Sequence, residues 1–389
     1  MIVYPLLSDQ AQAVYGELLS EDADMVAVDL GYALIKAFGP NMTKGVSFRS
    51  VYAGRTIGSA VGLGNATMQT NTHDIILLSP NTGQEILFGS VADTVSRQYH
   101  VMKKDSDVET AAQFFQAALS RVCRPGRSKV WAVIGVTTED ARKLGFHNSM
   151  RSHLEGLHVF ETQQGARYEV LVEKVMLQPQ PAGAMFYATL NADGIPTHMA
   201  DIVRKSRFCV VAVGGGTTEV YTIVPRMTDD GRYVIEPDYG RCGSRNGAGM
   251  GVIRAHLVRS VWKDVEERYI PSVSEIDHII LSGGRYERNV WQDYSAEIEF
   301  GRAQLAANVM TAIRDTIGAD NLDIQWVFIA GGVAPLVQDD IAESLGRNRC
   351  IFAGEQPSPD GPTKVEDVEF PERIIAEGLY RYARYASRV

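Results

Sequence analysis

The sequence predicts a two-domain α/β protein made of two related halves, and three observations carry that prediction. Residues 25–39, MVAVDLGYALIKAFG, read as strand, tight glycine turn and strand. The pattern returns at 208–224, where the apolar run FCVVAV meets GGGTTE and a second apolar run follows. A motif that recurs after nearly half the chain points to duplicated halves facing each other across a cleft. The third observation is length: 389 residues are too many for one compact core and comfortable for two domains. The expected limits are an extension over 1–24, domain I over 25–185, domain II over 186–371, and a closing helix over 372–389 that returns to domain I.

Composition narrows the function classes. Hydrophobic content of 45% and charged content of 22% suit a soluble globular protein. The net charge of −9 argues against a broadly basic face for direct nucleic-acid binding. Cys123, Cys209, Cys242 and Cys350 form no C-x-x-C pair, so neither a metal knuckle nor a redox motif is expected. Reduced thiols in a cytoplasmic protein are the simpler reading. No apolar run approaches the ~20 residues that span a bilayer, so no membrane contact is expected. Residues 1–24 lack the early Lys or Arg of a secretory signal.

Taken in order, 46–53 alternate as one half-buried strand, and 54–72 read as a long loop or flap rich in Gly, Ser, Thr and Asn. Residues 74–78 and 84–88 flank a Pro-Asn-Gly turn as a hairpin, and 88–99 look like a short helix start. Residues 108–122 form a strongly amphipathic helix ended by Pro125 and Gly126. The run 130–136 is a central strand, leading into a helix over 137–145 that a threonine caps. His147, His153 and His158 have no metal-ligand spacing and read as solvated. A strand over 168–177 precedes a helix over 178–190 with Pro181 in its first turn. Beyond the second glycine turn come a hairpin at 233–239, a Gly-rich lead into a helix near 252–265, and a strand at 276–281. A helix at 304–317, a strand at 325–330, a helix opened by Pro335 and a strand at 349–353 follow. A proline-rich loop then reaches a last helix over 372–385.

Three stretches carry chemistry. In the first, Asp29 closes a buried strand where it could hold a hydrated divalent cation. Gly31 opens a turn of exposed amides, and Lys36 reaches back as a point charge for phosphates. In the second, Gly214, Gly215 and Gly216 let backbone approach an anion, and Thr217 and Thr218 add hydroxyl donors. In the third, Gly331 and Gly332 stand at the carboxyl end of a strand, where backbone can pack on a flat ligand. A rival copy at Leu281-Ser282-Gly283-Gly284 precedes a charged stretch and reads as a turn between strands.

In this order and spacing the three resemble the phosphate 1, phosphate 2 and adenosine motifs of the actin superfamily. Asp29, Gly31 and Leu34-Ile35-Lys36-Ala37 look like the D-x-G-x-x-x-x-K-A run of actins, and GGGTTE looks like the form in bacterial MreB and ParM. The resemblance spans roughly 25–385, closest to the ParM and archaeal actin-like branch, through the 277–281 strand and Glu377-Gly378-Leu379 as well. It implies an actin-like, ribonuclease H-like duplicated fold with two domains around a nucleotide cleft. It implies ATP (GTP as the alternative) and Mg²⁺ as cofactors. Asp29 would hold Mg²⁺ mostly through waters, and Lys36 would contact the β/γ-phosphates. Gly31, Tyr32, Ala33 and Leu34 would line the first phosphate loop, and Gly214, Gly215, Gly216, Thr217 and Thr218 the second. Gly331, Gly332 and Val333 would lie near adenine and ribose. Gln180 would orient the attacking water, with Gln178 as second candidate.

One position departs from the pattern. Where the family carries an aspartate two residues before the first glycine of GGGTTE, this chain has Ala212. Glu219, at the motif's end, is expected to point along its strand, away from the metal. The resemblance implies an ATPase that polymerises head-to-tail with nucleotide-dependent assembly, for plasmid or DNA segregation or another cytoskeletal positioning role, through an adaptor protein that links it to DNA or other cargo. A non-polymerising small-molecule kinase, or a nucleotide-dependent scaffold, is the alternative within the same superfamily.

Overall fold

The computed structural model describes residues 22–40, 42–56, 75–78, 84–89, 91–92, 99–100, 108–227, 233–265, 270–287, 291–318, 323–356, 362–364, 368 and 371–388. The expected extension over 1–21, most of the expected flap (57–72) and most of the helix start expected over 88–99 lie outside them. The chain divides into two compact units. One takes Met1–Leu30, Ile35–Ile134 and Leu144–Leu177; the other takes Gly31–Leu34, Gly135–Lys143 and Gln178–Val389.

The first unit is built on one sheet. Its strands are β1 (Asp24–Leu30), β2 (Leu34–Phe38), β3 (Val46–Arg49), β4 (Val51–Thr56), β5 (Ile75–Leu78), β6 (Gln84–Phe88), β7 (Tyr99–His100), β8 (Gly126–Val136), β9 (Gly156–Thr162) and β10 (Arg167–Pro179). They lie in the order β3-β2-β1-β8-β10-β9-β5-β6-β4-β7. The strand expected over 46–53 is two strands broken at Ser50, and the second runs on through Thr56 to pair with β6. Helix α1 (Val108–Val122) packs on β1 and β9 and fills the core with Phe114, Phe115 and Leu119, all without solvent exposure. The rings of Phe48, Tyr52, Phe88 and Phe114 form one cluster. The helix expected over 137–145 is a short 3₁₀ turn (Asp140–Arg142), and α2 (Leu144–Leu154) starts after it. The Thr137 hydroxyl does accept from the Asp140 amide at 3.1 Å, but Lys143 is extended and ends the turn before a helix can grow.

The second unit carries a five-stranded sheet in the order β13-β12-β11-β16-β17. These are β11 (Phe208–Val213), β12 (Thr217–Met227), β13 (Tyr233–Asn246), β16 (Trp326–Ala330) and β17 (Cys350–Phe352), with a small ladder of β14 (Arg285–Glu287) and β15 (Trp291–Asp293) apart from it. β11, β16 and β17 run parallel; β12 and β13 join antiparallel. Where a hairpin is expected at 233–239, β13 continues as one long strand, and a register shift at Tyr221/Ile223 absorbs the irregularity. Helices α3 (Gln180–Thr189) and α4 (His198–Val203) precede the sheet. Helices α5 (Gly251–Val261), α6 (Val273–Leu281), α7 (Ser295–Ile317), α8 (Gln338–Leu345) and α9 (Ile374–Ala386) follow within it or after it. Cys209, Val211 and Val213 pack with Ile253, Leu257, Leu305 and Ile313 in one core. Alternation along β11 leaves the face of Val210 and Ala212 to α3, which packs on β11, β12 and β16. Gly183 and Gly378 let α3 and α9 cross with backbones touching; a Cβ at either would collide with the other helix.

Segment 276–281, expected as a strand, lies in α6. Ser272 caps it and exchanges bonds with Glu275, and Ile276, Ile279 and Ile280 recur at helical spacing on its buried side. The rival glycine pair is the end of this helix: Gly283 and Gly284 have positive φ, and the Gly284 amide bonds back to the Ile279 carbonyl.

His158 corrects the reading of solvated histidines, because its ring is buried under α1 and 6% exposed. Nε2–H donates to the Leu154 carbonyl at 2.8 Å, and Nδ1 lies 3.2 Å from the Gln116 amide nitrogen, from which it accepts. Burial holds its pKa below the ordinary value, with the Leu154 bond opposing. The unfolded chain therefore binds this proton more readily than the folded one, so stability falls as pH drops through about 6.5. Urea unfolding between pH 5 and 7.5 should show a steeper loss for the wild type than for His158→Gln. Parallel pH profiles would show that the buried ring does not titrate as described.

Candidate functional site

The second glycine turn is the most constrained piece of backbone in the second unit. Gly214 N donates to the Thr217 carbonyl at 2.8 Å and closes the turn between β11 and β12. The carbonyls of Gly214, Gly215 and Gly216 accept from the amides of Met250, Gly251 and Gly247 at 3.2, 2.9 and 3.1 Å. Three successive carbonyls are thus turned toward the start of α5. No hydrogen bond engages the amides of Gly215 or Gly216 among the described residues. A pair of adjacent, uncommitted amides is the donor arrangement of an anion nest. The Thr218 hydroxyl is fully buried and donates to the Ala248 carbonyl at 2.5 Å, so its proton is committed to the fold.

The first turn packs on the second. A Cβ built on Gly215 would stand 2.5 Å from the Ala33 Cβ, and one on Gly216 would stand 3.6 Å from Tyr32. The third stretch closes in from the neighbouring strand. β11 and β16 pair with Ala212 opposite Ala330, Gly331 follows at φ +99°, and its missing side chain leaves room for the Val213 carbonyl. The Val333 amide donates to that carbonyl at 3.2 Å. The three glycine stretches chosen from the sequence therefore meet at the carboxyl ends of β11 and β16, where ligands bind in α/β sheets.

The charged candidates sit as follows. Asp29 is 1% exposed, and Lys36 lies directly across the β1–β2 ladder with Nζ 2.8 Å from Oδ2. Each charge compensates the other inside the protein. The lysine assigned to phosphate and the acid assigned to the cation are thus partners of one another here. Among the described residues no group of three or more His, Cys, Asp or Glu could hold a metal ion. A Mg²⁺ ion at Asp29 would keep most of its waters and rely on phosphate oxygens. Gln180 is the first residue of α3, behind Pro179 and ahead of Pro181, and is buried. Gln178 lies near the end of β10.

Two parts of the site are not singled out by the sequence. One is the 247–251 segment that holds the glycine carbonyls; its glycines read there only as a helix lead. The other is the 137–140 segment. Thr137 Oγ1 donates to Asp140 Oδ2 at 2.9 Å, Asp140 also pairs with Lys143 at 3.0 Å, and the Thr138 amide donates to Glu219 Oε2 at 2.7 Å. Glu219 stands opposite Ala212 in the β11–β12 register, and directly opposed residues of an antiparallel pair project from the same face. Burial raises its pKa most; Thr138 and the nearby Ser244 oppose this, and Asp140 reinforces it. Burial, then Asp140, Glu219 and Glu139, raise the Tyr32 phenol in turn.

Residues 27–183 match the profile of the actin-like protein N-terminal domain. A non-polymerisable quadruple mutant of pCBH ParM superposes with a TM-score of 0.70 over 95% of this chain and 100% of its own, at 17% identity. The chain has the actin-like fold of ParM and the archaeal actins. The archaeal actin homologue Ta0583 in complex with ADP gives 0.65 at 17% identity, over 94% of this chain and 99% of its own. The subunit of a 15-stranded ParM filament from Clostridium botulinum gives 0.70 at 17% identity, over 93% and 99%. Curated protein sequences give no significant match. The actin-like fold accounts for the two sheets and for the meeting of the three turns.

The contact between turns makes a direct test. Gly216→Val sets a branched side chain beside Tyr32, where a Cβ meets only ordinary contacts from 3.6 Å, so the protein should fold with its melting temperature little changed. Its affinity for a nucleoside triphosphate, measured by calorimetry, should fall about tenfold or more, ~1.4 kcal/mol. Unaltered affinity would remove the turn from the binding site.

Proposed function

We propose that this actin-like protein binds ATP, with Mg²⁺, at the three joined turns and assembles head-to-tail into filaments whose growth depends on the bound nucleotide. The observation that carries the reading is the convergence of Gly215, Gly216 and Gly331 with two uncommitted amides at the strand ends. The amides of Gly215 and Gly216 receive phosphate oxygens; Gly331, Gly332 and Val333 lie against the adenosine. Lys36, which pairs with Asp29 here, would contact the β/γ-phosphate oxygens, and Asp29 would hold the cation mostly through its waters. Gln180 orients the attacking water rather than accepting its proton, since an amide is no base at neutral pH.

A head-to-tail contact that does not close into a ring gives an open filament, and the ParM likeness favours that outcome. The same likeness favours DNA segregation as the role, and the net charge of −9 favours an adaptor over direct DNA contact. No helix among the described residues is long and apolar enough to cross a membrane.

High-speed sedimentation and electron microscopy with and without Mg-ATP, alongside phosphate release, test the whole reading. Polymer that appears with Mg-ATP and disassembles as phosphate is released is the expected result; nucleotide bound without any polymer would refute the filament. Gln180→Ala should slow phosphate release about 10²-fold with ATP affinity nearly intact. A comparable loss of affinity would show that Gln180 holds the nucleotide instead.

A further inference from the structure

The unusual feature of the site is a substitution with a neighbour. Ala212 stands where the actin-like pattern has an acid, and Glu219 stands directly across the hairpin from it on the same face. Opposed Cβ atoms in such a pair lie about 5 Å apart, and a glutamate is one methylene longer than an aspartate. Glu219 is 2% exposed, and its Oε2 is held by the Thr138 amide at 2.7 Å. Its other oxygen, Oε1, and the Thr138 hydroxyl have no hydrogen-bond partner among the described residues, although both are buried. A buried carboxylate oxygen without a donor is costly unless the position is used. The first turn is close enough for Glu219 to perturb Tyr32.

We propose that Glu219 supplies an acid on the face where position 212 lacks one: it accepts the proton of the attacking water through Oε1. The inference rests on the ATPase reading above. In the step, the water oxygen forms a bond to the γ-phosphorus. The bond from that phosphorus to the bridging oxygen breaks, and its electron pair leaves on ADP. The water proton passes to Glu219 Oε1, and the products are ADP and inorganic phosphate. The Thr138 amide fixes the carboxylate's rotamer, so Thr138 is a positioning residue. Gln180, at the start of the helix that covers the same sheet face, holds the water for Glu219 to deprotonate.

The groups facing Glu219 are Tyr32 on the first turn, Thr138 and Asp140 on the 137–140 segment, and Ser244 on β13, with Lys143 offsetting Asp140. Because burial raises the Glu219 pKa, its carboxylate forms only as pH climbs past that raised value, and phosphate release should rise with pH through an acidic limb.

The test uses the full chain and three variants. Glu219→Gln keeps the acceptor for the Thr138 amide. It should bind a fluorescent ATP analogue as the wild type does, release phosphate about 10²-fold more slowly, and lose the acidic limb. Ala212→Asp added to Glu219→Gln should restore at least a tenth of the rate, because an acid returns to the same face. Glu219→Asp, which retracts the carboxylate, should be slow yet keep the limb, and it serves if the glutamine variant does not fold. Wild-type rate in either single variant, or an unchanged pH profile in Glu219→Gln, overturns the proposal and leaves nucleotide binding standing. So does a wild type that binds the analogue but releases no phosphate. A wild type that binds no analogue overturns the ATPase reading itself.

Discussion

Backbone packed directly on backbone around Gly214, Gly215 and Gly216 is the constraint on which the second unit depends. The strand pair β11–β12, the start of α5 and the end of β16 all meet at this turn. Each is fixed there by an amide–carbonyl bond rather than by a side chain. Such bonds need the partners within about 3 Å, and that distance leaves no volume for a Cβ at Gly249 or Gly331. The glycines are therefore not flexible links. They are the places where three elements come close enough to share one set of hydrogen bonds, and the amides of Gly215 and Gly216 are left over.

Two buried acids show opposite solutions to one problem. Removing a carboxylate from water costs several kcal/mol unless charge or hydrogen bonds replace the lost solvent. Asp29 meets that cost with Lys36 opposite it on the ladder. Glu219 has a backbone amide at bonding distance on one oxygen, and its pKa is raised instead. A lysine partner neutralises its acid outright; Thr138 and Ser244 stabilise the Glu219 carboxylate less, and its Oε1 has no hydrogen-bond partner among the described residues. The second arrangement is the kind that functional sites keep despite its lower stability.

Much of this architecture is legible in the chain. α1 matches its expected limits residue for residue because its apolar stripe and its Pro-Gly stop agree. The strand–glycine–strand hairpins are legible because a glycine set between two apolar runs is the residue a tight turn demands. Segment 276–281 is ambiguous: its four apolar residues, Ile276 and Ile279 to Leu281, fit both periods, and the deciding signal is the cap at Ser272 and Glu275 just upstream. Register is what sequence does not supply. That Glu219 opposes Ala212 depends on a turn of fixed length closing at Gly214–Thr217, and one residue of slip would send the carboxylate to the other face.

The same reasoning explains how so little sequence identity preserves the fold. At 17% identity most side chains differ between this chain and the ParM and archaeal actin structures it superposes on. A site built from main-chain amides asks for glycine at a handful of close approaches and for apolar character in the strands beneath. It leaves the identity of most other side chains open. An acid, by contrast, is needed at a place in space rather than at a place in the chain. An antiparallel hairpin offers two positions that reach that place, one on each strand, and a chain can lose the acid at one provided it holds one at the other. Ala212 and Glu219 are such a pair, so the missing aspartate changes which strand carries the charge while the turn that presents it stays the same.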